Sequence, residues 1–285
     1  MRFELTHTIA YEYSKPVFLE PHAFLLRPRE DAGQRLVSHA CELDPAPGLQ
    51  TTAADISGNT ATFTWFRGEH QRFSIQARSE VEINRPNPFD YLPDENCRRI
   101  PVVYREPLRA LLGPYLKAST PVPEPVKAFS HDIAARTHHA TIPFLMDLTR
   151  TLGFEFEREQ RPAGAPRPAE ESLRLRRGSC RDLAVLFMAC CRVQGLAARF
   201  VSGYYEQEPD RAEYDLHAWA EVYIGGGGWR GFDPSAGLAE TEMHIPVAAS
   251  AQPELVTPVT GHFRGAGASA RMTSGVQIRR ILQLV

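Results

Sequence analysis

Residues 1 to about 90 alternate between apolar and polar positions with the period of a β-strand. The segment Met1–Val17 shows this most clearly, because Phe3, Leu5 and Ile9 fall on one face. Turn residues such as Ser57-Gly58-Asn59 separate shorter segments with the same pattern. These shorter predicted strands are Ala23–Leu26, Leu36–Leu43, Leu49–Ile56, Thr60–Phe66 and Gln71–Ile83. Several short strands at this spacing predict a small β-sandwich-like domain.

The pattern changes after Asn84, and prolines interrupt any regular element as far as Pro107. Helical spacing of apolar residues then predominates. The predicted helices are Leu108–Leu116, Glu124–Arg136, Phe144–Leu152 and Ser172–Arg177. Gly153 is expected to end the third of these helices, and Arg161–Pro168, with three prolines, is expected to be a surface loop.

An almost wholly apolar run covers Leu183–Gly195 and is too long for a typical strand, so it predicts a buried helix. Ser179 is a suitable N-cap, and Asp182 lies three residues further on, as in a capping box. Gly195 is a suitable residue to follow the last turn. Cys180 therefore lies in the first helical turn, and Gly178 is expected to leave space beside it for a substrate.

Beyond this helix the period returns to two. The predicted strands are Ala198–Tyr205, Leu216–Ile224, Trp229–Asp233 and a final Val276–Leu284. The last forty residues are expected either to wrap the core or to return to the first domain. The predicted domains are an all-β domain 1–90, a connecting segment 91–119, a core 120–245 and a C-terminal extension 246–285.

Composition narrows the classes of function. With 43% hydrophobic and 23% charged residues, a net charge of −2 and a pI of about 6.6, nothing favours nucleic acid or an anionic membrane as partner. The first residues form a strand pattern, with no apolar core of a signal peptide. Five cysteines without a C-x-x-C pair indicate neither a disulfide framework nor a zinc site. We expect a cytoplasmic protein without metal or cofactor.

Three residues form a candidate catalytic group. Cys180 lies at a helix start, where free N–H groups and the helix dipole favour a thiolate. His217 lies near the start of one strand, and Asp233 lies at the end of the next. A thiol nucleophile needs a base within hydrogen-bond reach, and the base needs an orienting acid. The order and placement of the three residues fit these roles.

Whether His217 and Asp233 share a sheet face depends on the turn between their strands. A four-residue loop over Gly225–Gly228 would turn Asp233 away from His217. A three-residue loop, Gly225–Gly227, would set Asp233 opposite Trp219 and diagonal to His217, with Cβ atoms roughly 7 Å apart. We therefore predict an odd-length loop or a bulge.

Other residues on the same helix and strands have structural interpretations that must be considered. A cysteine in an apolar helix usually packs in the core, which is the interpretation for Cys190 and Cys191. Asp182 is a helix cap or supports the loop before Cys180. Trp219 is either a cover over the site or a core residue.

Four sequence blocks share a known family pattern. They are Gly178-Ser179-Cys180-Arg181-Asp182, Gly195-Leu196-Ala197-Ala198-Arg199-Phe200-Val201-Ser202-Gly203-Tyr204, His217-Ala218-Trp219-Ala220-Glu221, and Gly228-Trp229 with Phe232-Asp233-Pro234-Ser235. Together they resemble the core of the bacterial transglutaminase-like superfamily, and the β region resembles the small domain that often precedes this core. Ser235 replaces the commoner threonine of the pattern, which is a conservative departure.

The resemblance implies a papain-like α+β core with Cys180, His217 and Asp233 as the catalytic triad. From their positions beside these three residues, we expect Ser179, Asp182 and Trp219 to support the site. It implies that the Cys180 backbone N–H contributes to an oxyanion hole, and it assigns no chemistry to the C-terminal segment. The expected activity is attack on an amide or peptide bond through a thioester.

Hydrolysis, as in a cysteine protease or amidase, is favoured because no dedicated amine site is evident; transamidation to an amine acceptor is the alternative. A binding or scaffold module that retains the fold is the non-enzymatic alternative. A calcium-dependent cross-linker has no support, since the sequence contains no EF-hand-type loop.

Overall fold

The computed structural model describes residues 1–118, 120–161, 164–208 and 211–281. Its strands are β1 (Arg2–Leu19), β2 (His22–Phe24), β3 (Gln34–Asp44), β4 (Leu49–Ala54), β5 (Thr60–Trp65), β6 (Glu69–Ile83), β7 (Glu157–Arg158), β8 (Arg177–Gly178), β9 (Ala198–Tyr205), β10 (His217–Ile224), β11 (Gly228–Asp233), β12 (Leu238–Ala239), β13 (His244–Ser250), β14 (Val259–Thr260), β15 (Phe263–Arg264) and β16 (Ala270–Arg280). Its α-helices are α1 (Leu108–Leu111), α2 (Gly113–Leu116), α3 (Glu124–Arg136), α4 (Thr141–Glu155), α5 (Ala169–Leu175) and α6 (Cys180–Val193), and short 3₁₀ helices cover Glu95–Cys97 and Pro253–Val256.

The N-terminal region consists of two antiparallel sheets. One contains β15, β1, β6 and β3, with β16 also paired to β1; the other runs β14-β2-β5-β4. Phe3, Leu5 and Ile9 on β1 are buried, as the alternating pattern predicts. Two sheets that each have one apolar face bury those faces against each other or against a neighbouring element. The predicted β-rich, sandwich-like region is therefore observed.

The C-terminal strand returns to the first region. β16 pairs antiparallel with β1, from Phe3 opposite Arg280 to Tyr13 opposite Ala270. Of the two alternatives for the last forty residues, wrapping the core or returning to the first domain, the structure shows the return. The observed strand begins six residues before the predicted Val276, and the end of the prediction, residues 282–284, lies outside the described residues.

The helices differ from prediction at several places. The predicted Ser172–Arg177 is α5, Ala169–Leu175, and α4 begins at Thr141 instead of Phe144. Leu108–Leu116 is two short helices, α1 and α2, which meet at Leu112. Gly153 does not end its helix, because α4 continues to Glu155. A Cβ on Gly153 would lie 2.5 Å from the Gly237 Cα, so this glycine permits a close backbone contact. Among the described residues, no helix is long and apolar enough to cross a membrane.

The second region is built on the sheet β12-β11-β10-β9-β13. Helix α6 packs on β10, whose apolar face joins the main hydrophobic core of the molecule. Phe187 of α6 stacks on Phe232 of β11, with ring centroids 5.8 Å apart. This packing fixes the start of α6 relative to the strands that carry His217 and Asp233.

The two regions share a hydrophobic cluster and buried hydrogen bonds. Tyr204 and Ile245 of the second sheet pack with Phe3 of β1. The Asn59 side chain accepts a hydrogen bond from the Ala249 N–H at 2.8 Å and donates one to the Ala249 carbonyl at 3.0 Å. The regions are thus packed together, and the domain boundaries at residues 90, 119 and 245 stay a prediction.

Candidate active site

The cysteine of the site lies at the N-terminus of α6. The helix begins at Cys180, with Ser179 as N-cap and a capping box with Asp182. The Asp182 carboxylate accepts hydrogen bonds from the Ser179 N–H at 2.9 Å and from the Ser179 hydroxyl at 2.8 Å. Cys180 is partly exposed, whereas Ser179 is buried. The predicted helix start and cap are therefore confirmed.

Gly178 has a different role from the predicted one. A Cβ at this position would lie 2.9 Å from the Cβ of Asp182 and 3.3 Å from a Leu183 methyl carbon. Gly178 is itself buried. The missing side chain therefore makes room for the helix cap, and the space beside it is not open to a substrate.

Asp182 also anchors the preceding loop. Its second carboxylate oxygen accepts hydrogen bonds from Arg161 Nη1 at 2.6 Å and from the Arg167 N–H at 2.8 Å. Burial raises the pKa of this carboxyl, but the hydrogen bonds from the Arg167 and Ser179 N–H groups outweigh burial and lower it. Asp182 is thus an ionised carboxylate that binds both the helix cap and the preceding loop, which agrees with its interpretation as cap and loop support.

The hairpin β10–β11 brings His217 and Asp233 together. Ile224 pairs with Gly228, so the loop is the three-residue Gly225–Gly227 and the odd-length prediction is confirmed. Gly228 has a φ of +72°, a conformation that favours glycine. His217 Nε2 lies 2.6 Å from Asp233 Oδ2. Both side chains are buried, so this hydrogen bond is shielded from water.

The turn after β11 holds the Asp233 carboxylate. Its Oδ1 accepts hydrogen bonds from the Ser235 N–H at 2.9 Å, the Ser235 hydroxyl at 2.8 Å and the Ala236 N–H at 3.1 Å. Burial would raise the pKa of Asp233, but the charge and hydrogen bond of His217 hold it well below its usual range. Serine at position 235 therefore supplies the hydroxyl donor that the commoner threonine would supply.

The thiol and the imidazole are electrostatically paired. Burial would raise the pKa of Cys180, but the hydrogen bond and charge of His217 outweigh it, and the pKa is lowered with a further contribution from the Ala218 N–H. Burial would lower the pKa of His217, but Asp233 and then Cys180 raise it to about 10. Opposite shifts in a cysteine and a histidine favour a thiolate–imidazolium pair at neutral pH.

Trp219 lies under the imidazole. It is fully buried, and its ring centroid is 6.1 Å from that of His217. A Cβ on Gly203 would lie 2.6 Å from the indole ring, so glycine at 203 makes room for it. These contacts agree with the interpretation of Trp219 as a core residue rather than a cover over the site.

Sequence reasoning missed one contact of the site. His244, at the start of β13, lies with its Nε2 3.3 Å from Asp233 Oδ2 and is fully buried. The segment after Ala236 was expected to add no chemistry, and the structure places one of its residues in contact with Asp233. No periodic or spacing signal around His244 indicates it, because the contact depends on how β13 pairs with β9.

Within the described part of the chain, no group of three or more His, Cys, Asp or Glu side chains is arranged to hold a metal ion. The five cysteines are all free thiols, three of them buried.

Two family models match this chain, one in each of its two regions. Residues 130–234 match the sequence model of the transglutaminase-like superfamily, and residues 3–82 match that of the bacterial transglutaminase-like N-terminal region. The chain thus matches the model of this core behind the model of this N-terminal region, which confirms the resemblance predicted from the four sequence blocks.

Similar proteins cover nearly the whole chain. An uncharacterized protein of Mycobacterium tuberculosis is 27% identical over 272 residues, 91% of this chain and 87% of the relative. One from Mycobacterium leprae is 26% identical over 274 residues, 94% and 95% of the two chains. The crystal structure of "a Putative Cysteine Protease from Cytophaga hutchinsonii" has a TM-score of 0.73 at 19% identity, covering 99% of this chain and 91% of that one. This last likeness shows a shared papain-like fold.

Proposed function

We propose that this protein is a cysteine-dependent acyl-transfer enzyme that acts on an amide or peptide bond through a thioester. The observation that carries the proposal is the 2.6 Å hydrogen bond between His217 Nε2 and Asp233 Oδ2. Because Nε2 is bound to the acid, the other ring nitrogen, Nδ1, is the one available to the Cys180 thiol. Cys180 is the nucleophile, His217 the general acid and base, and Asp233 the orienting acid.

In the acylation step, the Cys180 thiolate attacks the carbonyl carbon of the amide. The Cys180 backbone N–H, at the positive end of the helix dipole, donates to the oxyanion that forms. The imidazolium of His217 then protonates the leaving nitrogen. The C–N bond breaks, the amine leaves, and the acyl group remains on sulfur as a thioester.

In the deacylation step, neutral His217 removes a proton from the acceptor that attacks the thioester. Water as acceptor gives a carboxylic acid, and a primary amine gives a new amide; either regenerates the thiol. We favour hydrolysis because water is present at very high concentration and nothing in the sequence marks a dedicated amine site.

Hydroxylamine trapping tests this proposal without a known substrate. The protein is incubated with a library of blocked glutamine peptides and short peptides, with water, hydroxylamine or a fluorescent primary amine as acceptor. Mass spectrometry is expected to show acids in water and hydroxamates in hydroxylamine. Cys180→Ala should give neither, whereas Cys190→Ala, a cysteine on the same helix, should give both.

Each outcome assigns a function. Faster incorporation of the fluorescent amine than acid formation would replace hydrolysis by transamidation. No acyl product from any peptide, combined with an ordinary reactivity of Cys180, would contradict the enzyme proposal and favour the binding or scaffold module.

A further inference from the structure

His244 is a second buried histidine on the acid of the proposed triad. It lies on a different strand from His217 and Asp233, at the first position of β13, and none of its surface is exposed. Its Nε2 is 3.3 Å from Asp233 Oδ2, the same oxygen that His217 Nε2 contacts at 2.6 Å. Oδ1 of Asp233 is already occupied by donors from the following turn. His244 thus contacts the oxygen that orients the proposed base.

The protonation of His244 follows from its other nitrogen. The Thr241 backbone N–H lies 3.1 Å from His244 Nδ1, and a backbone N–H can only donate. Nδ1 must therefore be an unprotonated acceptor, which places the ring hydrogen on Nε2. In this neutral tautomer, Nε2–H donates to Asp233 Oδ2.

The surroundings keep the ring neutral and fixed. Burial lowers the pKa of His244, while Asp233 raises it and the charges of His217 and Arg85 lower it. The Tyr205 ring stacks on it at 4.2 Å and 15°, and the Trp219 ring meets it edge-on at 5.2 Å and 72°. The neutral His244 ring is held between Tyr205 and Trp219. Its single N–H donor, on Nε2, therefore points in one fixed direction, towards Asp233.

We propose that His244 is a positioning residue, which fixes Asp233 Oδ2 so that His217 presents its other nitrogen to Cys180. This inference rests on the proposed function. Three donors of the turn hold Oδ1, so loss of the His244 donor would leave the carboxylate free to rotate about that end. The hydrogen bond from His217 would weaken, and the thiolate–imidazolium pair would be less favoured.

Two substitutions separate the donor from the rest of the ring. In His244→Gln the terminal amide nitrogen can occupy the place of Nε2 and still donate to Asp233. In His244→Asn the shorter amide can accept from the Thr241 N–H but cannot reach Asp233. His138→Asn is the matched control, because His138 is exposed and has a φ of +50° that asparagine tolerates.

The readout is the pH dependence of Cys180 alkylation by iodoacetamide, mapped by mass spectrometry. His244→Asn should raise the midpoint by about one pH unit and lower the rate at pH 6 about tenfold. His244→Gln should recover most of that shift, and His138→Asn should leave the wild-type profile unchanged. A role limited to packing would lower the melting temperature of both His244 variants without separating their midpoints.

Equal midpoints in His244→Asn and His244→Gln would overturn the inference while leaving the proposed function in place. If wild-type Cys180 itself reacts no faster than an ordinary thiol at pH 6, both the inference about His244 and the proposed function fail. If His244→Asn does not fold, ¹⁵N NMR of the histidines in the wild type decides. A neutral Nε2–H tautomer of His244 from pH 5 to 8 is expected, and a charged or Nδ1–H ring would contradict it.

Discussion

The two ends of helix α6 carry cysteines whose thiol pKa values are shifted in opposite directions. At the first turn, the pKa of Cys180 is lowered because His217 and the Ala218 N–H outweigh burial. Towards the other end, burial raises the pKa of both Cys190 and Cys191, which are fully enclosed by the core. One helix thus carries one thiol with a lowered pKa and two thiols with raised pKa values.

Because all three cysteines lie on α6, a place on this helix does not by itself lower the pKa of a thiol. The first turn supplies N–H groups and a dipole, but the larger lowering contributions to the Cys180 pKa come from His217 on the neighbouring strand β10. The reactive end is therefore the point where α6 meets the sheet. Substitutions that remove the partners of Cys180 on the sheet should make its thiol as unreactive as that of Cys190. Substitutions of residues in the hydrophobic core should not have this effect.

The largest effect is expected for His217→Ala. Without the imidazolium, burial alone governs the thiol, so its pKa should rise above the ordinary value. Alkylation of Cys180 at pH 6 should fall about 100-fold, because the smaller thiolate fraction is only partly offset by higher nucleophilicity. Rates measured with iodoacetamide and peptide mapping test this, with Cys190→Ala as a control that keeps the fast labelling. Unchanged labelling in His217→Ala would show that the helix dipole suffices.

Asp233→Asn should have the next largest effect. Asp233 is the leading cause that raises the pKa of His217 to about 10. Asparagine keeps the shape but removes the charge, so the imidazole should titrate about two pH units lower. NMR titration of the His217 ring in both proteins measures the shift, and an unmoved midpoint would mean that Cys180 alone holds the proton on His217.

Asp182→Asn should change stability more than reactivity. The pKa of Asp182 is lowered in the fold, so its contribution is present above the unfolded value near pH 4 and is lost as the pH falls through the folded value. The variant should lose about 3 kcal/mol of unfolding free energy at pH 7. Urea denaturation from pH 3 to 7 should show the difference between the two proteins shrinking in acid; a constant difference would contradict this origin.

Ser235→Ala is expected to give the smallest change. The Ser235 hydroxyl is one of three donors to Asp233 Oδ1, and the backbone N–H groups of Ser235 and Ala236 remain. The labelling midpoint of Cys180 should move by about half a pH unit at most. Ser235→Thr keeps the hydroxyl and should show no shift. A large change in Ser235→Ala alone would indicate that the hydroxyl, rather than the turn backbone, holds the carboxylate.

Local sequence signals predicted the elements that carry Cys180, His217 and Asp233. Helix α3 and strand β9 have the bounds that periodicity indicated, because the spacing of apolar residues is a local signal. The glycine run after Ile224 allowed the odd loop to be predicted, since only that register brings Asp233 towards His217. Neighbours in sequence were sufficient for these features.

The features that sequence could not predict depend on distant contacts. Gly153 has the signature of a helix end, yet it lies within α4 because its backbone packs on Gly237. His244 reaches Asp233 only because β13 is placed beside β9, in a segment without a clear period. In the same way, nothing in the local pattern of β16 specifies β1 as its partner.

The most direct test of the paired thiolate is the alkylation rate of all five cysteines of the wild type between pH 5 and 9. We expect rapid labelling of Cys180 near pH 6, with Cys190 and Cys191 unlabelled until the protein unfolds. Slow labelling of Cys180, rising only above pH 8 like an ordinary thiol, would contradict the ion pair with His217 on which the proposed function depends.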